Sequence, residues 1–327
     1  MVIFDTATSN FWVPDISVCN TNTNCPSYCV ESTFCTWLCD TSCCVSQKDG
    51  CPTYLFNSTK SSTYISTGKN ITIAAMQCIL GEDIVRFGTA GNPQLIIPKT
   101  QFAQTLTIPD FTNDAINGIM GLGFQEYADG NVMPPLINAI NQNLLDKPLF
   151  TLYLNKEDLP QNAIGGIITY GDVDTVHCSS NFSYYPLTSK KLFQFQLDSV
   201  SVGNFTASST NWNVIADTGT AFIGGPDMII RSIAQQLNGI YNEDYGIYNF
   251  DCNSTISPII FTIGGRDYPI EQEQLIINLE TGDCALTLFS YGDDSEPTWI
   301  FGYSWFRSYC TVFDFGQKNI GFAKPIF

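Results

Sequence analysis

Apolar residues occur in short runs along most of this chain, and turn-forming residues separate them. The runs are rich in Ile, Val, Thr, Phe and Tyr and are broken by Gly, Pro and Asn, as in 166–171 and 259–264. Segments of this length with β-branched and aromatic side chains predict strands. The best helical stretches are 135–140 and 227–234. The sequence therefore predicts a mainly β protein.

One apolar run occurs twice, about two hundred residues apart. Residues 2–9 read VIFDTATS and residues 214–221 read VIADTGTA. Each copy is followed downstream by apolar residues and a Gly, at 119–123 and at 299–302. A single Asp-Thr-Gly is a weak signal, since most such turns are structural, but two extended copies with a second matched element are much more specific. The repeat predicts two similar lobes that each contribute one Asp to a shared site.

The chemistry of two neighbouring carboxyl groups explains why this repeat indicates hydrolysis. If Asp5 and Asp217 lie within hydrogen-bond distance, they cannot both ionise at low cost, so the pair shares one proton. A water molecule held between them then contacts both a base and an acid. Which Asp carries the proton is a property of the pair and is not assigned from the sequence.

Several further segments give the chain its resemblance to the pepsin-like aspartic proteases. They are the two Asp motifs, 10–14 (NFWVP), 61–64 (SSTY), 117–123 (NGIMGLG) and 299–325. The resemblance covers most of the chain and implies a bilobal, mainly β fold with pseudo-two-fold symmetry. It implies a monomeric enzyme without cofactor or metal, in which Asp5 and Asp217 activate water to cut protein or peptide substrates at acid pH.

The resemblance also assigns the residues around the two Asp. Thr6 and Thr218 are similar to the family's threonines that hydrogen-bond across the lobe interface. Thr8 and Thr220 stand where the family has a hydroxyl donating to the outer carboxylate oxygen. The alternative is that these are ordinary turn hydroxyls that bond their own backbone.

Two departures from the family pattern concern the site itself. Ala7 stands where the pattern has Gly, as at Gly219, and its Cβ is expected to crowd the turn or force its torsion angles. The flap, the hairpin that closes over substrate, is predicted at about 70–80, with Ile73 in place of the family's tyrosine and a tip around Ala74 that lacks Gly. Trp12, the usual partner of that tyrosine, is retained. The alternative function is therefore a catalytically impaired homologue that binds peptides or a protein partner.

The expected organisation is an N-terminal lobe at 1–177 and a C-terminal lobe at 178–327. Eight of the 13 cysteines lie between Cys19 and Cys51, and this segment resembles an inserted loop. The relatives carry further sheet before the first Asp motif, so the first lobe is expected to be N-terminally incomplete, and no secretory signal is readable before Asp5.

Cysteine number and glycosylation motifs favour an exported protein. The cysteines are better explained by disulfides than by zinc, since the chain has one histidine and the Cys43-Cys44 pair suits no regular thiolate spacing. Cys252 and Cys284 match the family's second-lobe bridge, and Cys178 with Cys310 is a second candidate pair. Five N-glycosylation motifs point the same way, and their acceptors are Asn57, Asn70, Asn181, Asn204 and Asn253.

The net charge of the chain excludes some classes of binding partner and favours an acidic location. The chain has 14 Lys plus Arg against 31 Asp plus Glu, a net charge of -17. Such a surface repels nucleic acid and anionic membranes, and no apolar run is long enough to span a bilayer. The expected location is secreted or lysosomal, where acid neutralises part of the charge. The lone His177, beside Cys178, is expected to be structural, which leaves no histidine for a Ser/His/Asp or Cys/His site.

Overall fold

The computed structural model describes residues 2–19, 55–88, 91, 93–107, 117–156, 164–243, 245–279, 283–292 and 296–326. Contacts between Cα atoms divide the chain into two compact units, Met1–Leu144 and Leu145–Phe327. The cysteine-rich segment predicted at about 19–51 lies outside the described residues, apart from the backbone of Cys19. The compact units divide between residues 144 and 145. The lobe boundary at 177/178 is a separate division of the chain and stays a prediction.

The first unit is built on one sheet in the order β1-β6-β2-β5-β4-β3. The strands are β1 (Ile3–Asp5), β2 (Phe11–Pro14), β3 (Ile65–Ile73), β4 (Met76–Phe87), β5 (Leu95–Thr105) and β6 (Ile119–Gly121). A helix, α1 (Pro135–Asn141), follows, with Pro in its first turn where the missing N–H leaves no lost hydrogen bond. β4 alternates buried and more exposed positions over much of its length, as expected when one face of a sheet covers a core.

The second unit contains two five-stranded sheets. The first has the order β8-β7-β23-β24-β9, and the second has the order β10-β13-β22-β14-β21. The strands of the first sheet are β7 (Leu149–Leu154), β8 (Gly166–Tyr170), β9 (Ser183–Pro186), β23 (Cys310–Asp314) and β24 (Asn319–Ala323). Those of the second are β10 (Gln194–Gln196), β13 (Asn213–Ala216), β14 (Ile223–Gly225), β21 (Leu288–Ser290) and β22 (Trp299–Phe301).

Two four-stranded sheets and three helices complete the described residues of this unit. One sheet, in the order β12-β11-β17-β18, consists of β11 (Ser199–Val202), β12 (Phe205–Ser208), β17 (Ile259–Ile263) and β18 (Arg266–Ile270). The other, in the order β15-β16-β20-β19, consists of β15 (Ile240–Asn242), β16 (Ile247–Phe250), β19 (Ile276–Asn278) and β20 (Cys284–Leu286). The helices are α2 (Asp227–Gln236), α3 (Gln272–Leu275) and α4 (Tyr303–Ser308). The predicted mainly β class is confirmed, and both predicted helices are present as α1 and α2.

Aromatic side chains fill the core behind the second Asp motif. Trp299, Phe301 and Trp305 are fully buried. The rings of Phe301 and Trp305 stack with centroids 4.3 Å apart, and Phe261 meets Phe301 edge to face at 4.8 Å. Such pairs add to the free energy gained by burying their area, so they hold β22 rigidly. Because β22 pairs with β13, the strand that leads into Asp217 rests on this core.

The sequence repeat is also a repeat of strand pairing. In the first unit β1 runs parallel to β6, β6 is antiparallel to β2, and β2 is parallel to β5. In the second unit β13, β22, β14 and β21 follow the same order with the same directions. Each Asp motif therefore ends the first strand of an equivalent four-strand arrangement.

Candidate active site

The first Asp turn, residues 5–9, begins at the C-terminal end of β1. Asp5 pairs with Gly121 of the parallel strand β6, and its carbonyl oxygen accepts the Leu122 N–H at 2.7 Å. The side chain is buried, with 7% of its area exposed, and its Oδ1 accepts the N–H of Ala7 at 2.8 Å. A backbone N–H directed at a carboxylate oxygen fixes the orientation of the carboxylate.

The second Asp turn, residues 217–221, is built in the same way. Its backbone is held to β22, because the Asp217 N–H donates to the carbonyl oxygen of Phe301 at 2.9 Å. Asp217 is 8% exposed, and its Oδ1 accepts the N–H of Gly219 at 2.7 Å. Each unit thus fixes a buried carboxylate through the N–H of the second residue after it.

Ala7 fits this turn without the expected strain. Its N–H reaches the Asp5 carboxylate at 2.8 Å, against 2.7 Å for Gly219 and Asp217. Neither residue is among those with positive φ, so the turn does not need the conformational freedom that Gly provides. The predicted forcing of the torsion angles at Ala7 is therefore not seen in this structure, while crowding by its Cβ stays a prediction.

The paired threonines of the two turns differ in one contact. Thr220 Oγ1 donates to Asp217 Oδ2 at 2.6 Å, as the resemblance implies. The corresponding bond from Thr8 to Asp5 is absent, and Thr8 Oγ1 is buried without a partner among the described residues. The backbone carbonyls of both residues are bonded alike, to Gly123 N–H at 2.8 Å and to Tyr303 N–H at 3.1 Å, so the difference is one of side-chain orientation. Thr6 and Thr218 are buried, and their hydrogen bonds across the lobe interface stay a prediction.

Glycines explain the second element of the repeat, because each lies against an Asp turn. A Cβ added to Gly121 would lie 2.4 Å from the backbone carbon of Ser9. A Cβ added to Gly302 would lie 2.3 Å from the carbonyl oxygen of Thr220. These distances leave no room for a side chain, so each Asp turn can approach its neighbouring strand only at a glycine.

The hairpin of β3 and β4, residues 65–87, contains the segment at about 70–80 where the flap is predicted. Its strands pair through Ile73 and Met76, with Ala74 and Ala75 as a two-residue turn. Ile73 is 7% exposed and lies in a buried cluster with Trp12, Cys78 and Ala103. At the position of the family's tyrosine, Ile73 therefore provides apolar packing in the cluster that contains Trp12.

Two contacts near this hairpin were not predicted. Asn10 forms two hydrogen bonds with the backbone of Asp129, and the Asp129 carboxylate accepts the Ala74 N–H. Asn10 belongs to the quoted motif at 10–14, but nothing in the sequence marks Asp129 as its partner.

Cys78 is the free cysteine of the described residues, and burial raises the pKa of its thiol despite hydrogen bonds that lower it.

His177 has a structural environment in the second unit. Its Nδ1 lies 2.8 Å from Asp174 Oδ2, and its ring stacks on Tyr153 with centroids 4.9 Å apart. Burial raises the pKa of Asp174, but hydrogen bonds from the His177 backbone, the His177 ring and the Val176 N–H outweigh it and hold that pKa below its ordinary value.

The remaining predicted residues are cysteines that form disulfides and glycosylation acceptors, most of which are exposed. Disulfides join Cys178 to Cys310 and Cys252 to Cys284. Of the glycosylation acceptors, Asn57 is half-buried, whereas Asn70, Asn181, Asn204 and Asn253 are exposed. The described part of the chain contains no helix long and apolar enough to cross a membrane.

Comparison with known sequences agrees with this geometry. The model of the eukaryotic aspartyl protease family matches residues 1–325. Aspartic protease 6 of Caenorhabditis elegans is 36% identical over all of this chain and 78% of its own length, and aspartic protease 2 of Necator americanus is 36% identical over 99% and 79%. Cathepsin E of Aquarana catesbeiana is 31% identical over 100% and 76%. The chain belongs to the eukaryotic aspartyl protease family, and the predicted pepsin-like relationship is confirmed.

Proposed function

We propose that this protein is an aspartic endopeptidase that hydrolyses peptide bonds in proteins at acid pH, using Asp5 and Asp217 together. The observation that carries the proposal is the matched pair of Asp turns. Each holds a buried carboxylate at the end of a parallel strand pair, and each directs a backbone N–H at that carboxylate, at 2.8 Å and 2.7 Å. Because the Ala7 N–H reaches Asp5 as the Gly219 N–H reaches Asp217, Ala7 leaves this contact of the first Asp turn intact, which supports a role for Asp5.

The proposed reaction uses one water molecule and no covalent intermediate. With one proton shared between the two carboxyls, the ionised one takes a proton from water as the water oxygen attacks the peptide carbonyl carbon. The protonated one donates to the carbonyl oxygen. When the tetrahedral intermediate collapses, the carboxyl that took the water proton gives it to the nitrogen and the carbon–nitrogen bond breaks, while the other carboxyl takes back the proton of one hydroxyl, which restores the shared-proton pair. This mechanism requires Asp5 and Asp217 to meet within reach of one water molecule.

The hairpin 65–87 is proposed to cover the bound substrate, with Ile73, Ala74 and Trp12 beside the cleft. Ile73 packs an apolar side chain against Trp12 where the family has a hydroxyl, and extended peptides with hydrophobic side chains are the proposed substrates. We place the enzyme in the secretory route, as a monomer in a lysosome or outside the cell. Two disulfides and four exposed glycosylation acceptors in the described residues support that location.

Cleavage of a denatured protein substrate across about pH 3 to 6, the range suggested by a shared-proton pair, tests the proposal. The wild-type protein should cleave in acid, and a statine-type inhibitor should block it. Asp217→Ala and Asp5→Ala should each lose at least about a thousandfold in kcat/KM, as expected for groups that act as a unit. Asp146→Ala, an exposed Asp outside both turns, is the matched control and should retain activity.

The second candidate is a homologue that binds peptides without cutting them. Ile73 favours it, because a flap without the family's tyrosine lacks a polar contact beside the reacting groups. Tight binding of the statine-type inhibitor with no turnover at any acid pH would establish this candidate and overturn the first. Loss of inhibitor binding in Asp217→Ala would show that the same two Asp form the binding site.

A further inference from the structure

We propose that Asp129 is a positioning residue that holds the tip of the hairpin 65–87 against the first Asp turn. We call the contact among Asn10, Asp129 and Ala74 the Asp129 bridge. Its effect on substrate rests on the proposed function of the hairpin as a cover, whereas its effect on hairpin motion does not.

One side of the bridge fixes the backbone of Asp129. The Asp129 N–H donates to Asn10 Oδ1 at 2.8 Å, and the Asp129 carbonyl oxygen accepts from Asn10 Nδ2 at 3.1 Å. Asn10 is 6% exposed and directly follows the Asp turn 5–9. Because one buried amide bonds both backbone groups, the position of Asp129 is set by the segment that carries Asp5.

The other side of the bridge reaches the hairpin tip. Asp129 Oδ2 accepts the N–H of Ala74 at 3.3 Å. Ala74 has φ 50°, a left-handed conformation that an L-residue adopts at a cost, and here its N–H points to the carboxylate. Beside this contact, a Cβ added to Gly130 would lie 3.2 Å from Ile71 Cγ2, so β3 packs closely on the segment after Asp129.

The bridge compensates for features that the tip lacks. A two-residue turn of Ala74 and Ala75 has no glycine, and Ile73 has no polar group to anchor it beside Trp12. The Asp129 carboxylate supplies a polar contact to the tip instead, by accepting the Ala74 N–H. We therefore expect these hydrogen bonds to fix the position of Ile73 and Ala74 relative to Asn10, the residue that follows the first Asp turn.

Hydrogen–deuterium exchange over residues 71–78 of the free protein tests the bridge directly. In Asp129→Ala the Ala74 amide should exchange about fivefold faster, the factor expected for losing one hydrogen bond of ordinary strength. Asp129→Asn retains an acceptor oxygen and should restore most of the protection. Glu126→Ala, a nearby exposed acid, should exchange like the wild type. Equal exchange in Asp129→Ala and wild type would overturn the proposal.

Kinetics separate a positioning role from a catalytic one. Loosening a substrate cover should raise KM about fivefold in Asp129→Ala while kcat stays within about twofold, since the bond acts on binding. Asp129→Asn should recover most of this loss. If no peptide bond is cut by the wild type, the proposed function fails but the exchange result still decides the bridge. If exchange is unchanged while cleavage proceeds, only the bridge fails.

Discussion

Thr220 Oγ1 donates a 2.6 Å hydrogen bond to Asp217 Oδ2, while the equivalent Thr8 Oγ1 lies buried with no partner in the part of the chain that the structure describes. The two turns are otherwise closely similar, since in both the second residue after the Asp donates its backbone N–H to Oδ1. The Asp217 carboxylate is thus oriented through both of its oxygens by its own turn. The two turns therefore differ in the hydroxyl contact to the Asp carboxyl group.

We expect Thr220→Val to reduce kcat/KM much more than Thr8→Val. Valine has nearly the shape of threonine but cannot donate, so Thr220→Val removes a hydrogen bond to a carboxyl group worth about 1–3 kcal/mol, or roughly 5- to 150-fold in rate. Thr8→Val removes a hydroxyl that bonds nothing among the described residues and should stay within about threefold of wild type. Steady-state kinetics at acid pH measure both, and equal losses would contradict the asymmetry.

Ala7→Gly should leave activity nearly unchanged. Restoring the family's glycine gains nothing if the Ala7 N–H already reaches Asp5 as the Gly219 N–H reaches Asp217. The glycine should instead lower the free energy of unfolding by about 0.5–1 kcal/mol, because it adds freedom to the unfolded chain. Urea unfolding and kcat/KM measured on the same preparation check both parts. A tenfold gain in rate would show that Ala7 does impair the turn.

Local patterns predicted some parts of this structure and not others. Strand-forming runs predicted the β class, the helical stretches at 135–140 and 227–234 predicted α1 and α2, and the repeat of VIFDTATS predicted the equivalent strand ends. Catalysis by Asp5 and Asp217 remains a prediction. The glycine motifs were noticed as pattern, but their reason, the close approach of Gly121 and Gly302 to the turns, is a tertiary contact.

What sequence reasoning missed depends on contacts between distant segments. Asn10 and Asp129 are 119 residues apart, and their hydrogen bonds follow from how the sheet folds rather than from any motif. The difference between Thr8 and Thr220 could not be predicted, since both are threonines in equivalent positions. The expected forcing of the torsion angles at Ala7 is not seen, because neither Ala7 nor Gly219 has a positive φ and both N–H groups reach their carboxylates.

Ala74→Gly should stabilise the hairpin. Ala74 has φ 50°, where a Cβ is unfavourable by about 1–2 kcal/mol, and glycine removes that cost at the expense of some unfolded-state entropy. We expect a net gain of about 0.5 kcal/mol in the free energy of unfolding. Ala75→Gly is the matched control, because Ala75 is not among the residues with positive φ and its replacement should destabilise by a similar amount. Urea unfolding of the two variants should shift in opposite directions.

Asp174→Asn should destabilise the protein at mildly acid pH and much less in strong acid. Hydrogen bonds from His177 and Val176 hold the pKa of Asp174 below its ordinary value. An acid whose pKa is lower in the folded state contributes stability above its unfolded pKa, about 3.9, and loses it as pH falls through the folded value. The difference between wild type and variant should be about 1–2 kcal/mol near pH 5.5 and should shrink between about pH 4 and pH 2. Denaturant unfolding at a series of pH values measures this difference, and a constant value across the range would show that the Asp174 carboxylate does not couple folding to acid.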